Sequence, residues 1–110
     1  MQIVDPCFAG TNKGHYSPGM ESNGVLYVSG QLSIDMDTRQ VPPPDMREHA
    51  ALALKNVERV LKAGGLSREN VVQCRVYVTD IDAWDAVNEV YAEFFGSHKP
   101  ARVIVPTRPL

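Results

Sequence analysis

Between two segments of helical periodicity lies a run, Val71 to Thr79, in which Val72, Cys74, Val76 and Val78 alternate with Gln73, Arg75, Tyr77 and Thr79. Alternation at period two is the mark of a strand with one apolar and one mixed face. Upstream, Met46, Ala50, Ala53, Val57, Val60 and Leu61 recur at three- and four-residue intervals, while Lys55, Glu58, Arg59 and Lys62 fall on the other face. That is a helix covering something with one side only. Asp45 can cap its start, with Glu48 three residues on in a capping-box-like arrangement, and Gly64-Gly65 stops it. Downstream, Asp80 and Asp82 supply start chemistry for a second helix, from about Ala83 to Phe95. Its stripe is Trp84, Val87, Tyr91, Phe94 and Phe95, and Gly96 ends it. Ala101 to Val105 then reads as a further strand, with Pro106 and Pro109 disrupting the tail.

The first third of the chain is strand-rich. Thr11 to Gly14 reads as a polar loop and Tyr16 to Glu21 as an edge strand interrupted by Pro18 and Gly19. Ser22-Asn23-Gly24 predicts a tight hairpin turn, because Asn-Gly readily takes the positive φ angles such turns need. The strand after it, Val25-Leu26-Tyr27-Val28, runs on through Ser29-Gly30-Gln31 to Leu32 and Ile34 with little polar alternation, which suits burial on both faces. Pro42-Pro43-Pro44 keeps the connector that follows out of the sheet interior. The order of elements, hairpin strands first and helices later, predicts an α+β layer: a mixed sheet with both helices on one face. The other face would be uncovered. If Tyr27 and Tyr77 line it, it is most cheaply buried against copies of the same chain in a closed ring.

A chain of 110 residues supports one core, so a single domain spanning 1–110 is expected, with a margin that oligomerisation would widen. A formal charge of −2 offers no global positive field for a phosphate backbone, so nucleic acid is an unlikely partner. Cys7 and Cys74 fall in different predicted strands without CxxC spacing or accompanying histidines, and read as two reduced thiols rather than a metal site. The start, Met1-Gln2-Ile3-Val4-Asp5-Pro6, lacks the basic and apolar regions of a signal peptide, and no apolar run approaches membrane-spanning length. A cytoplasmic protein is expected, with no membrane partner. His15, His49 and His98 are too scattered to suggest a nuclease pair and read as surface or capping residues.

Four segments carry a resemblance: Gly14-His15-Tyr16-Ser17, Leu26-Tyr27-Val28-Ser29-Gly30-Gln31, Asn88-Glu89-Val90-Tyr91-Ala92-Glu93-Phe94-Phe95-Gly96, and Lys99-Pro100-Ala101-Arg102. In this order, on a loop, a strand, a helix and a strand, they resemble the Rid/YjgF family of enamine/imine deaminases over nearly the whole chain. The resemblance implies a chorismate-mutase-like fold, a homotrimeric barrel with a cleft at each subunit boundary, and no metal or organic cofactor. It implies hydrolysis of small 2-imino or 2-aminoacrylic acids to 2-oxo acids and ammonia.

By the same resemblance Arg102 holds the substrate carboxylate, for which a guanidinium offers parallel donors. Read by itself, Arg102 is more simply an arginine of a surface or interface ion pair, and the resemblance reverses that preference. Ser29 and the backbone of Gly30 would fix the carboxylate or the imine region, although a glycine there also suits a β-bulge. Tyr16 and Asn88 would shape the cleft; their plain alternatives are an edge-strand aromatic and a local packing amide. Three departures accompany the match. Tyr16-Ser17 is followed by Pro18 rather than glutamine, and Ile104 stands in the substrate-binding stretch where some members carry a cysteine. The final strand, with the glutamate that activates water in catalytic members, has no counterpart before Leu110. A non-catalytic trimer binding 2-oxo acids is therefore the alternative reading.

Overall fold

The computed structural model describes residues 1–10 and 14–109. The expected loop at Thr11 to Lys13 lies outside the described residues. Five strands and two helices follow in the order β1 (Gln2–Val4), β2 (Gly19–Ser22), β3 (Val25–Val28), α1 (Met46–Ala63), β4 (Gln73–Val78), α2 (Trp84–Phe95) and β5 (Ala101–Pro106). The strands form two ladders: β1-β2-β3, antiparallel throughout, and β4-β5, parallel. Parallel pairing of β4 with β5 requires a crossover, and α2 is that crossover.

Asn23 and Gly24 take φ of 53° and 78°, the twofold positive φ of a tight hairpin, and join β2 to β3. The expected edge strand differs in two respects. It begins only at Gly19, after Pro18, and it is the middle strand, because Gln2–Val4 pairs along its other side. Gly19 is needed there. A Cβ on it would sit 3.0 Å from Val60 Cγ1 and 3.2 Å from Leu26 Cδ1, so its absence lets β2 lie close to α1.

β3 is shorter and more open than its sequence suggests. Val25 and Tyr27 are exposed, so the strand is covered on one face only. It ends at Val28 because the segment after it bonds elsewhere. Asn56 of α1, 2% exposed, donates through Nδ2 to the carbonyls of Leu32 (3.0 Å) and Ile34 (2.9 Å), drawing that segment onto the helix. Gly30 therefore stands beyond the strand, not at a bulge within it.

α1 is capped by Asp45, whose carboxylate accepts from the Arg47 amide at 2.9 Å, and it stops at Gly64 with Gly65 at φ 73°. It packs against α2 and β3. Val60, Leu61 and Leu54 from α1, Val87 and Phe95 from α2, Val78 from β4 and Val4 from β1 fill the core. Cys74, Val76 and Val78 of β4 turn inward while Gln73, Arg75 and Tyr77 face out, as the alternation requires. Cys7, expected in a strand, lies instead in the loop after β1 with φ 58°; it and Cys74 are free thiols. Tyr27, Tyr77 and Val103 remain exposed on the strands.

Candidate functional site

Arg102 is the second residue of β5 and pairs with Cys74 of β4, so it shares the inward face of the parallel ladder. Its guanidinium meets one face of α2. Trp84, Asn88 and Tyr91 follow at spacings of four and three residues, which align them on a helix. Arg102 Nη2 donates to Asn88 Oδ1 at 3.1 Å, and the guanidinium carbon lies 5.0 Å from the Tyr91 ring centroid and 5.7 Å from that of Trp84. No acidic side chain among the described residues forms an ion pair with Arg102, whereas Arg47, Arg59 and Arg68 each have one.

The bond to Asn88 fixes more than a distance. A guanidinium only donates, so the atom facing it must be the amide oxygen, and the Asn88 NH₂ group is left with its donors. Arg102 and Asn88 thus both present donors. They line a cavity of about 570 Å³ together with Tyr91, His98 and Lys99. His98 Nε2 donates to the Val71 carbonyl at 2.7 Å, which anchors its ring. An anion with planar oxygens suits such a cavity. The Tyr91 phenol is pushed up to about 12, chiefly by burial, with the Cys74 thiol adding to the rise and Arg102 opposing it. Burial also raises the Cys74 thiol, against the pull of Arg102. Both groups are neutral at physiological pH, so neither offsets the positive charge of the guanidinium.

Tyr16 and Ser29 are placed differently. Tyr16 is 53% exposed and lines a second cavity, of about 380 Å³, with Ser17, Gln31 and the Cys7 loop. Ser29 ties the loop before β2 to the end of β3: its amide donates to the Pro18 carbonyl at 2.9 Å and its hydroxyl to the Ser17 carbonyl at 2.6 Å. With its proton so committed, the hydroxyl can only accept from a ligand. That suits an N–H or a water better than a carboxylate. Gly30 is exposed, and a Cβ there would meet nothing within 4 Å, so the chain itself gives no steric reason for glycine. Ile104 lies on the same face of β5 as Arg102, opposite Val76.

The fold therefore brings Arg102 and Asn88 together but leaves Tyr16 lining a separate cavity. Trp84 and Tyr91 belong to the apolar stripe by sequence, and their spacing to Asn88 is the signal that sets them beside the guanidinium. Buried Asn56, which shapes the segment after β3, carried no sequence signal beyond an amide among apolar residues. His49 is held by Pro43 and Ser33, its Nε2 donating to the carbonyl at 3.0 Å and its Nδ1 lying 2.6 Å from the hydroxyl. Among the described residues no group of three or more His, Cys, Asp or Glu side chains is placed to hold a metal ion, and no helix is long and apolar enough to cross a membrane.

Comparison with known proteins places this geometry in a wider set. The family described as Endoribonuclease L-PSP matches residues 9–110. A 2-iminobutanoate/2-iminopropanoate deaminase from Capra hircus is 38% identical over 101 residues, covering 92% of this chain and 74% of the relative. The solved structure of a protein of the conserved Rid family from Yersinia pestis superposes with a TM-score of 0.93 at 31% identity, covering 99% of this chain and 87% of the other. The crystal structure of TdcF from E. coli with bound serine gives a TM-score of 0.90 at 30% identity, covering 100% and 88%.

Proposed function

The chain belongs to the Rid/YjgF family, whose matched model spans residues 9–110, and from that membership we propose that it hydrolyses small 2-imino acids and their 2-aminoacrylic tautomers. The observation that carries this reading is Arg102: an arginine without an acidic partner among the described residues, held on α2 beside the donors of Asn88. A carboxylate completes it. The goat relative is named for such a deamination, and the E. coli neighbour was solved with serine, a small amino acid bearing the same carboxylate.

In this reading Arg102 receives the carboxylate, and the free Asn88 amide donors reach the same anion. Water adds to the carbon of the C=N bond, its proton passes to nitrogen, and the carbinolamine expels ammonia to leave a 2-oxo acid. Ser29, able only to accept, takes an N–H of the substrate or orients the water; Gly30 leaves backbone open to it; Tyr16 and Ile104 bound the cleft. Free imines already hydrolyse in water, so positioning and a proton transfer worth roughly 10²–10⁴-fold suffice. No metal or organic cofactor enters the scheme.

The proposed working form is a homotrimer with each cleft between copies. Two features support it: the exposed strand-face residues Tyr27, Tyr77 and Val103, and the placement of Tyr16 and Arg102 on different cavities of one protomer, which an interface between copies can unite. The rival reading is the same assembly binding 2-oxo acids without turnover. Ammonia release from 2-aminoacrylate generated in situ separates the two. Acceleration by the wild type that disappears in Arg102→Ala is the expected result. A folded protein that binds 2-oxobutanoate without accelerating ammonia release favours the binding module, and cleavage of RNA without deamination overturns both.

A further inference from the structure

Resting on the carboxylate-site reading above, we propose that Trp84 and Tyr91 are positioning residues that hold the Arg102 guanidinium in its carboxylate-receiving orientation. Three contacts converge on this one group, all from a single face of α2: the Asn88 Oδ1 hydrogen bond and the rings of Tyr91 and Trp84 at 5.0 and 5.7 Å. Both ring distances fall within the range over which a cation is drawn to an aromatic quadrupole.

An arginine side chain has four rotatable bonds, and a carboxylate must find the planar fork in one orientation to be gripped bidentately. Freezing those bonds on binding weakens affinity; freezing them beforehand removes that loss. One hydrogen bond to Asn88 fixes a point on the guanidinium. It does not fix the plane, and contacts with two rings restrict it further. The guanidinium is weakly hydrated, so lying against rings costs it little.

Burial does not account for Trp84. The ring is 43% exposed at the first position of α2, whereas the core contact of that turn is made by Val87, which is 1% exposed. An exposed tryptophan adds little to the core, and its ring lies beside the Arg102 guanidinium. Tyr91 packs against Phe95, 5.7 Å away between ring centroids, so its ring is backed by a second aromatic of α2.

The test compares the deaminase kinetics of Trp84→Leu and Tyr91→Leu with those of Trp84→Phe and Tyr91→Phe, each checked for an unchanged circular dichroism melt. Positioning predicts that each leucine variant raises KM about 5- to 20-fold with kcat within about twofold, and that each phenylalanine variant, which keeps a ring, stays within about threefold of wild type. A purely structural role moves the melt and leaves this split absent. Trp84 is the sole tryptophan, so its emission gives a second readout: titration with 2-oxobutanoate shifts it in the wild type and not in Arg102→Ala. Leucine variants with wild-type KM, or an emission indifferent to saturating 2-oxobutanoate in an active enzyme, overturn the positioning role and leave the carboxylate site standing. Should the leucine variants fail to fold, the emission titration decides alone. A wild type with neither turnover nor binding overturns the carboxylate site and the positioning role together.

Discussion

Asn56 bears on the site without touching Arg102. Its amide is nearly sealed from water and spends both donors on the carbonyls of Leu32 and Ile34. Asn56→Leu leaves two carbonyls facing an apolar side chain and is expected to destabilise the fold by about 2–4 kcal/mol, read from urea unfolding midpoints at constant slope. Asn56→Asp is expected to be worse at neutral pH, since a carboxylate would face two acceptors, and to recover partly on acidification as the acid gains a donor. Equal melts for the three proteins would show that the segment after β3 holds itself in place. Tyr91 makes a second prediction. Its phenol titrates near 12 while an unfolded tyrosine titrates near 10, so folding favours the protonated form. Below pH 10 both states are neutral and stability is unaffected; between about 10 and 12 the unfolded state alone ionises, and stability falls as pH rises. Ultraviolet titration should show one phenol lagging the others, and Arg102→Ala should delay it further, because the guanidinium favours the phenolate. Among these residues, Arg102 and Asn88 were legible through the motifs that carry them. Asn56 was not, since a buried amide differs from a surface amide only by what the fold brings against it.

Arg68 joins elements as Asn56 joins segments. It stands in a short 3-10 turn between α1 and β4, pairs with Glu58 of α1, donates to the Phe94 carbonyl of α2 at 2.7 Å and lies 4.1 Å from the Phe94 ring centroid. The hydrogen bond from Arg68 holds the Glu58 carboxyl below its usual range. A lowered carboxylate contributes stability above its unfolded value near 4.5 and loses that contribution as pH falls through the lower folded value. Arg68→Ala is therefore expected to cost about 1 kcal/mol at pH 7, part of it lost packing on Phe94, and the difference from wild type should shrink in acid. A pH-independent difference would assign the whole effect to packing. The elements it ties were mostly legible. The β4 alternation, the Asn-Gly turn, the capped α1 and the α2 that ends at Gly96 depend on local pattern, and these appear where the pattern puts them. β1 and the end of β3 did not follow from it. Three residues, Gln2–Val4, become a strand only because Gly19–Ser22 pairs with them, and β3 stops where a side chain from α1 captures its continuation.

At the scale of the whole molecule the question is what covers the outward strand faces. Tyr27 and Tyr77 are 61% and 54% exposed and Val103 is 46% exposed, all on strands whose inward residues pack beneath helices. Apolar and aromatic side chains so presented are expected at a self-interface, where burial contributes roughly 25 cal/mol per Å². The exposure of Tyr77 was legible in the sequence because period-two alternation assigns it to the outward face; what covers that face was not, since contacts between copies leave no periodicity. Substituting Val103→Glu or Tyr77→Glu places a charge that must be desolvated in each copy of the interface. The expected outcome by sedimentation equilibrium is a wild type near three times the 12.1 kDa chain mass and variants shifted toward the single-chain mass. The position of the cleft makes a sharper demand. If Tyr16 of one copy and Arg102 of another serve one substrate, mass and ammonia release must be lost together, and mixing a Tyr16→Ala protein with an Arg102→Ala protein must restore part of the activity, because some clefts in the mixed trimer carry both native residues. A dissociated variant with full activity, or a mixture no more active than its components, would put the working site within one protomer and leave the exposed faces without a part in catalysis.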